Sequence, residues 1–202
     1  MTNTGNQDHA KINLYIKFLK EQLAFEPQSA ALHYNLGLAY AHKNLSAEAI
    51  SEFKQAIECD PNLAEAYVNL GGLYADSDPD KSIEANRKAL EINPALGAAH
   101  SNLAFGYLRD GLPDKAVIHG KKALELMPGS AKAYQLLAAA YIESGLLDAS
   151  VELSKQMIEQ GVSPAAAHFN LSIALSALGR IEEAAQHERA AAELGYLESQ
   201  TL

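Results

Sequence analysis

Apolar residues recur along this chain at three- and four-residue spacings, and short polar breaks separate the apolar runs. This pattern predicts a series of amphipathic helices. Five segments, starting at residues 30, 64, 97, 131 and 165, open alike, and their starts lie 34, 33, 34 and 34 residues apart. Each carries a leucine at its seventh place and an aromatic or leucine one turn later, at Leu36, Leu70, Leu103, Leu137 and Leu171, and at Tyr40, Tyr74, Tyr107, Tyr141 and Leu175. The chain is therefore built from repeats.

Each repeat reads as two helices joined by a turn. The turn is predicted at Asn44, Asp78, Gly111, Gly145 and Gly179, residue types that take the left-handed conformation that ends a helix. The second helix carries an early small residue that lets it approach the first, at Ala49, Ser82, Ala116, Ser150 and Ala184, and a second small or medium one at Ala56, Ala89, Ala123, Met157 and Ala191. Pro61, Pro94, Pro128 and Pro164 follow, because proline cannot continue the second helix.

Residues 12–27 read as a second helix with its closing proline but without a first helix, which makes a half repeat. Such a helix covers the first full repeat on one side and leaves apolar side chains facing outward on the other. The domain prediction is a disordered tail over 1–9, a half-repeat helix over 10–29, five repeats over 30–63, 64–96, 97–130, 131–164 and 165–196, and a tail over 197–202.

The repeated residues resemble the tetratricopeptide repeat (TPR) pattern, W-x2-L-G-x2-Y followed by A-x3-F, then A and P. Tyrosine or histidine replaces the opening tryptophan, and the aromatic residue of the second helix survives only as Phe53. The resemblance implies an all-α fold, a right-handed α-solenoid of helix-turn-helix units, with about five full repeats and an N-terminal half repeat. It also implies a concave groove that is lined by the first helices and holds another protein or a peptide.

Groove residues follow from the family's inward-facing positions. The sixth place holds asparagine in four repeats and Leu136 in the fourth repeat. A carboxamide both donates and accepts hydrogen bonds, so it can pair with the backbone of an extended peptide. The column resembles the asparagine ladder of the enzyme that transfers O-linked N-acetylglucosamine to proteins. Asparagine is also common at this place in family members that do not use it. The predicted groove residues are Tyr34, Asn35, Leu38, Val68, Asn69, Asn102, Phe105, Leu108, Arg109, Lys132, Ile142, Phe169, Asn170 and Ile173.

A second binding mode of the family, the carboxylate clamp, requires a lysine that this chain replaces with Ala31 or Glu65. Lys132 with Asn69 and Asn102 matches it only in part, so a full clamp is rejected.

Composition and charge limit the classes of partner that the chain is expected to bind. The formal charge is -9, with 25 acidic and 16 basic residues and no basic run, which argues against nucleic acid. No stretch approaches a membrane span, and the polar start of the chain lacks the apolar core of a secretion signal. Cys59 stands alone, as in a reducing compartment. We therefore predict a cytoplasmic protein without membrane insertion.

No catalytic motif appears, and neither a cofactor nor a metal is predicted. His33, His100 and His168 share one place in alternate repeats, too far apart for one ion, and are interpreted as aromatic substitutes between helices. Asp76, Asp78 and the residues after them lack the glycine and glutamate of a calcium loop. Cys59 is interpreted as an inert thiol on an apolar position.

The leading hypothesis is a non-enzymatic adaptor or scaffold that binds an extended or helical segment of another protein. Two alternatives stay open. One is a structural scaffold that self-assembles into a homo-oligomer through the N-terminal helix or the groove, and the weaker one is a regulatory subunit of a separate enzyme.

Overall fold

The computed structural model describes residues 4–196, with side chains from residue 10 onward. Within that range it contains eleven α-helices and no strand. The helices are α1 (Thr4–Phe25), α2 (Ala30–His42), α3 (Ser46–Cys59), α4 (Ala64–Tyr74), α5 (Pro79–Ile92), α6 (Gly97–Arg109), α7 (Pro113–Leu126), α8 (Ala131–Glu143), α9 (Leu147–Glu159), α10 (Pro164–Ala177) and α11 (Ile181–Glu193).

The helices pack as consecutive pairs, α2 with α3, α4 with α5, α6 with α7, α8 with α9 and α10 with α11. The predicted all-α class with helix-turn-helix units is confirmed. The even-numbered helices from α2 to α10 are called first helices below, and the odd-numbered helices from α3 to α11 second helices. The chain forms two compact units, unit 1 over Met1–Pro94 and unit 2 over Ala95–Leu202.

The turns between paired helices follow the prediction with one exception. Asn44 has a φ of 58°, and the three glycines at the same place in later repeats have φ between 66° and 77°. Asp78 has a φ of −155°, so its predicted left-handed conformation is wrong. The second repeat is one residue shorter than the others, and Asp78 instead caps α5 by accepting a hydrogen bond from the backbone N–H of Lys81.

The core lies between the paired helices. All five leucines at the seventh place are at most 5% exposed. The small residues of the second helices are also buried, at Ala49, Ser82, Ala116, Ser150 and Ala184, and at Ala56, Ala89, Ala123, Met157 and Ala191. Their short side chains let the helix backbones approach closely, and the leucines fill the remaining space. The sequence pattern therefore identified the buried face of both helices.

Helix α1 covers α2 on one side only. Ile16 and Leu19 are buried in the core of unit 1, whereas Leu14 is 68%, Phe18 51% and Phe25 83% exposed. This one-sided burial confirms the outward-facing apolar side chains predicted for the half repeat. The helix begins at Thr4, earlier than the predicted start at residue 10, and residues 1–3 and 197–202 of the two predicted tails lie outside the described part of the chain.

The last second helix, α11, presents mostly polar side chains, and Gln186, Arg189 and Glu193 are exposed as expected for a solvated end. Ile181 is an exception, with 62% of its side chain exposed. None of the helices within residues 4–196 combines the length and the apolar character that crossing a bilayer requires.

Candidate binding face

The fourteen predicted groove residues all lie on first helices, and every one of them is half-buried or exposed. Unit 1 carries five, on α2 (Tyr34, Asn35, Leu38) and α4 (Val68, Asn69), and unit 2 carries nine, on α6 (Asn102, Phe105, Leu108, Arg109), α8 (Lys132, Ile142) and α10 (Phe169, Asn170, Ile173). In unit 2, α8 packs against both α6 and α10, so the three first helices lie side by side. We call the surface formed by these residues the first-helix face and describe it for each unit separately.

In unit 1, a hydrogen bond crosses the first-helix face from α4 to α2. Nδ2 of Asn69 donates to the hydroxyl of Tyr34 at 3.2 Å and to the carbonyl of Glu65 at 2.9 Å. Both amide hydrogens of Asn69 are therefore engaged, and only its Oδ1 stays available as an acceptor. The Tyr34 ring also packs against Phe53, with ring centroids 5.7 Å apart, while Leu38 is 38% exposed beside it.

In unit 2, Lys132 on α8 donates to Oδ1 of Asn102 on α6 at 3.4 Å. This contact joins two residues of the partial clamp match and places a cation on the first-helix face. The guanidinium of Arg109 lies over the ring of Phe105, 5.7 Å from its centroid. Two cationic side chains of the predicted set thus lie on the α6–α8 part of the face.

Asn170 on α10 differs from the other asparagines of the column. Its Nδ2 is buried and has no hydrogen-bond partner among the described residues. An unpaired buried amide costs free energy, about 1–3 kcal/mol, unless a ligand or water accepts its hydrogens. The column is therefore not uniform, since Asn69 uses its amide hydrogens within the protein, Asn102 accepts from a lysine, and Asn170 has a buried amide nitrogen without a partner among the described residues.

Two surface depressions can be compared with this face. One of about 360 Å³ in unit 2 is lined by Phe169 and Ile173 together with Ser172, Ser176, Ile181, Ala184, Ala185 and Glu188. The ring of Phe169 also contacts Tyr196, with centroids 4.8 Å apart. A larger one of about 800 Å³ in unit 1 lies between α4 and α5, around Tyr67, Leu70 and Tyr74, and contains none of the predicted residues.

The three histidines of the column each find a partner on the second helix of their own repeat. His33 contacts Glu52, His100 contacts His119 and His168 contacts His187, so the interpretation as mere aromatic substitutes was incomplete. Sequence reasoning missed the partners, although the signal was present: histidine recurs 19 residues later in two repeats. Within the described residues, no group of three or more histidine, cysteine and acidic side chains has the arrangement of a metal site.

Cys59 is half-buried at the end of α3, where its thiol lies 3.7 Å from Oε1 of Gln28. It is not fully buried as an apolar position implies. The partner of the thiol is thus a neutral amide oxygen.

A family model for the tetratricopeptide repeat matches residues 12–64 and 136–195. No curated protein sequence matches the chain significantly. Among solved structures, the chain is similar to a MamA protein (28% identity, TM-score 0.66, covering 77% of this chain and 85% of that one). It is also similar to YrrB, a TPR protein with an unusual peptide-binding site (19% identity, TM-score 0.75, 91% and 98% covered). PilF of Pseudomonas aeruginosa matches with 17% identity and a TM-score of 0.77, covering 98% of this chain and 92% of that one.

Proposed function

Because this chain belongs to the tetratricopeptide repeat family, whose members generally bind other proteins or peptides, we propose that its first-helix face holds an extended or helical segment of another protein. The chain acts as an adaptor or scaffold and not as an enzyme. Support comes also from the structural likeness to YrrB, which has a peptide-binding site of its own.

The observation that carries this proposal is the state of the fourteen side chains. They occupy one set of repeat positions, all of them are half-buried or exposed, and they include exposed apolar residues such as Leu38 and Ile173. Exposed apolar side chains of this kind mark interaction sites when they accompany polar groups that can orient a backbone. Lys132 and Oδ1 of Asn69 supply those polar groups.

The ligand suited to this face has apolar anchors and an accessible backbone. Each hydrogen bond to an asparagine contributes about 0.5–1.5 kcal/mol, so the column alone gives weak binding and the apolar contacts supply most of the affinity. Since the exposed Lys132 lies on α8, an acidic residue or a terminal carboxylate of the ligand is expected beside it.

The test uses selection of peptides from a random displayed library on the full chain, followed by binding measurements on variants. Leu38→Asp and Ile173→Asp are expected to weaken the selected peptides at least about tenfold, since each removes an apolar contact and adds a charge. Ile118→Asp is the matched control, because Ile118 is a 67% exposed isoleucine on the second helix α7. Equal loss in all three variants, or no loss in the first two, contradicts the proposal.

The asparagines are tested with the same peptides. We expect Asn170→Ala and the double variant Asn69→Ala with Asn102→Ala to weaken binding while helicity is kept. Peptide binding that is unchanged in all of these variants shows that the column is structural and that only the apolar part of the face is used.

Self-assembly through α1 is the second candidate, and one observation favours it. Leu14 and Phe18, one turn apart on the helix, are 68% and 51% exposed, and Phe25 is 83% exposed further along. A monomer seldom keeps such an apolar stripe in water. Concentration-dependent light scattering tests it: Leu14→Gln with Phe18→Gln abolishes assembly if α1 is the interface. Leu19 is unsuitable for this test because it is 2% exposed and belongs to the core.

A further inference from the structure

Three repeats are closed by a polar contact between their first and second helices at one and the same place. The contact joins residues 19 positions apart through Nδ1 of the histidine on the first helix. It is His33 to Glu52 at 2.7 Å, His100 to Nδ1 of His119 at 2.9 Å, and His168 to Nδ1 of His187 at 2.8 Å. The second and fourth repeats instead place Tyr67 with Ala85 and Tyr134 with Leu153 at these positions. The two histidine pairs both lie in unit 2.

In each histidine pair the two rings meet edge to edge. Their centroids are 5.1 Å apart, which exceeds the separation of the two Nδ1 atoms by about the width of one imidazole ring. The nitrogens therefore point at each other along the line that joins the rings. Such a contact is a hydrogen bond only if one Nδ1 carries a hydrogen and the other does not, so the two rings of a pair must be different tautomers.

The available nitrogens limit how many extra protons a histidine pair can bind while its hydrogen bond stays intact. A first extra proton goes to Nε2 of the donating ring, which leaves the N–H···N bond in place and makes it charge-assisted. A second proton has only the accepting Nδ1 as its destination. It turns the acceptor into a donor, breaks the hydrogen bond and sets two cationic rings in contact. The doubly protonated pair cannot keep this geometry.

The surroundings of His187 also disfavour a second proton on its pair. Burial and then the charge of His168 lower the pKa of His187 below its ordinary value of 6.5, and Lys155 on α9 lowers it further, while Glu183 one turn earlier on α11 opposes them. In the third repeat, the ring of His119 lies 5.5 Å from that of Tyr107, whose other neighbour is the ammonium of Lys115.

We propose that the two histidine pairs are an acid-sensitive closure of unit 2, which mild acidification opens by placing a second proton on each pair and so loosening α7 from α6 and α11 from α10. Unit 1 does not share this response. There Glu52 faces His33, so the contact joins an imidazole to a carboxylate, and no second imidazole is present to repel a cation. The proposal is independent of what the protein binds.

The sign of the pH dependence follows from linkage. A histidine whose pKa is lower in the folded than in the unfolded chain stabilises the fold fully above about pH 6.5 and loses that contribution as the pH falls through this value toward the folded-state pKa. Hydrogen exchange of the full-length protein at about pH 8 and about pH 5, corrected for the intrinsic pH dependence of exchange, measures it. We expect protection of α6, α7, α10 and α11 to fall at acid pH by about tenfold or more relative to α2 and α3.

Variants that copy other repeats of the chain serve as controls. His119→Glu or His187→Glu reproduces the first repeat and is expected to abolish the acid loss in that repeat. His168→Tyr with His187→Leu reproduces the fourth repeat and is expected to make the fifth repeat insensitive to pH. His42→Gln removes an exposed histidine outside these contacts and is expected to leave the response unchanged.

Nitrogen NMR of the imidazole rings in the unmodified protein decides the question even if a variant fails to fold. One ring of each pair is expected to be the Nδ1–H tautomer and the other the Nε2–H tautomer at alkaline pH. Four independently titrating rings of one tautomer, or equal acid sensitivity of both units, overturn the proposal.

Discussion

Gly71 of α4 lies directly against the side chain of Asn86 on α5, so that a β-carbon on Gly71 comes within 2.1 Å of Nδ2 of Asn86. Asn86 is fully buried and donates to the carbonyl of Ser82, while the hydroxyl of Ser82 donates to the carbonyl of Gly71. The same relationship recurs in the first repeat, where Gly37 lies against the ring of Phe53. A larger residue on the second helix is accommodated because the first helix has no side chain at the facing place.

Gly71→Ala is therefore expected to destabilise the protein by about 1–3 kcal/mol, since the added methyl group displaces a buried, hydrogen-bonded carboxamide. Chemical denaturation measures the effect. Gly72→Ala is the matched control, because Gly72 is exposed on the same helix and alanine there is expected to be neutral or to stabilise by up to about 1 kcal/mol. Equal effects of the two substitutions contradict the packing seen around Asn86.

Phe53→Ala is expected to cost about 3–5 kcal/mol, because Phe53 is 0% exposed in the core of unit 1 and its loss leaves a cavity beside Gly37. Phe25→Ala removes the same side chain from a site that is 83% exposed and is expected to change the free energy of unfolding by less than about 0.5 kcal/mol. A small loss at Phe53 in equilibrium unfolding argues against the described core.

Asn170→Leu is expected to stabilise the protein by about 1 kcal/mol, since it removes a buried amide nitrogen that has no hydrogen-bond partner among the described residues. Thermal unfolding measures the effect. Asn69→Leu is the contrasting variant, because it removes two intramolecular hydrogen bonds and is expected to destabilise. A destabilising Asn170→Leu shows that its amide has a partner in the native protein.

Asp78→Ala is expected to lower Tm by roughly a few degrees, because α5 loses its N-cap. The hydrogen bond from the Lys81 side chain, and then that from the Lys81 backbone, lowers the pKa of Asp78 below 3.8. The carboxylate thus stabilises the fold fully above about pH 3.8, and the contribution is lost as the pH falls from there through the lower folded-state pKa. Asp78→Asn keeps the cap but not the charge, so it is expected to be milder than alanine and to remove this part of the acid response.

The buried leucines and the ends of α3, α5 and α7 just before a proline were predictable, because apolar periodicity reports on burial and proline cannot continue a helix. The role of Asp78 was not predictable. The second repeat is one residue shorter than the others, so the expected turn residue becomes a helix cap although the residue type stays the same. The first-helix face was predicted only as a set of positions. Its asparagines are engaged differently because their neighbours differ, Tyr34 beside Asn69 and Lys132 beside Asn102.

The histidine pairs were missed for a related reason. His33, His100 and His168 share one place on the first helices, and periodicity relates such places only along one column. Their partners stand on the second helix of the same repeat, and contacts between two columns depend on how the helices of one repeat are rotated toward each other. The recurrence of histidine 19 residues later in two repeats is visible in the sequence. That the two rings of a repeat meet follows only from this rotation of the helices.

The fit between Gly71 and Asn86 bears on recombination of such repeats. In a chimaera in which α5 replaces α7 as the second helix paired with α6, Asn86 lies opposite Ala104, the residue that replaces glycine at that place in the third repeat. The methyl group of Ala104 then obstructs the packing of the two helices. Shuffling of this chain, by an engineer or by duplication in a genome, is therefore expected to succeed when crossovers fall between repeats and to fail when they fall between the two helices of one repeat.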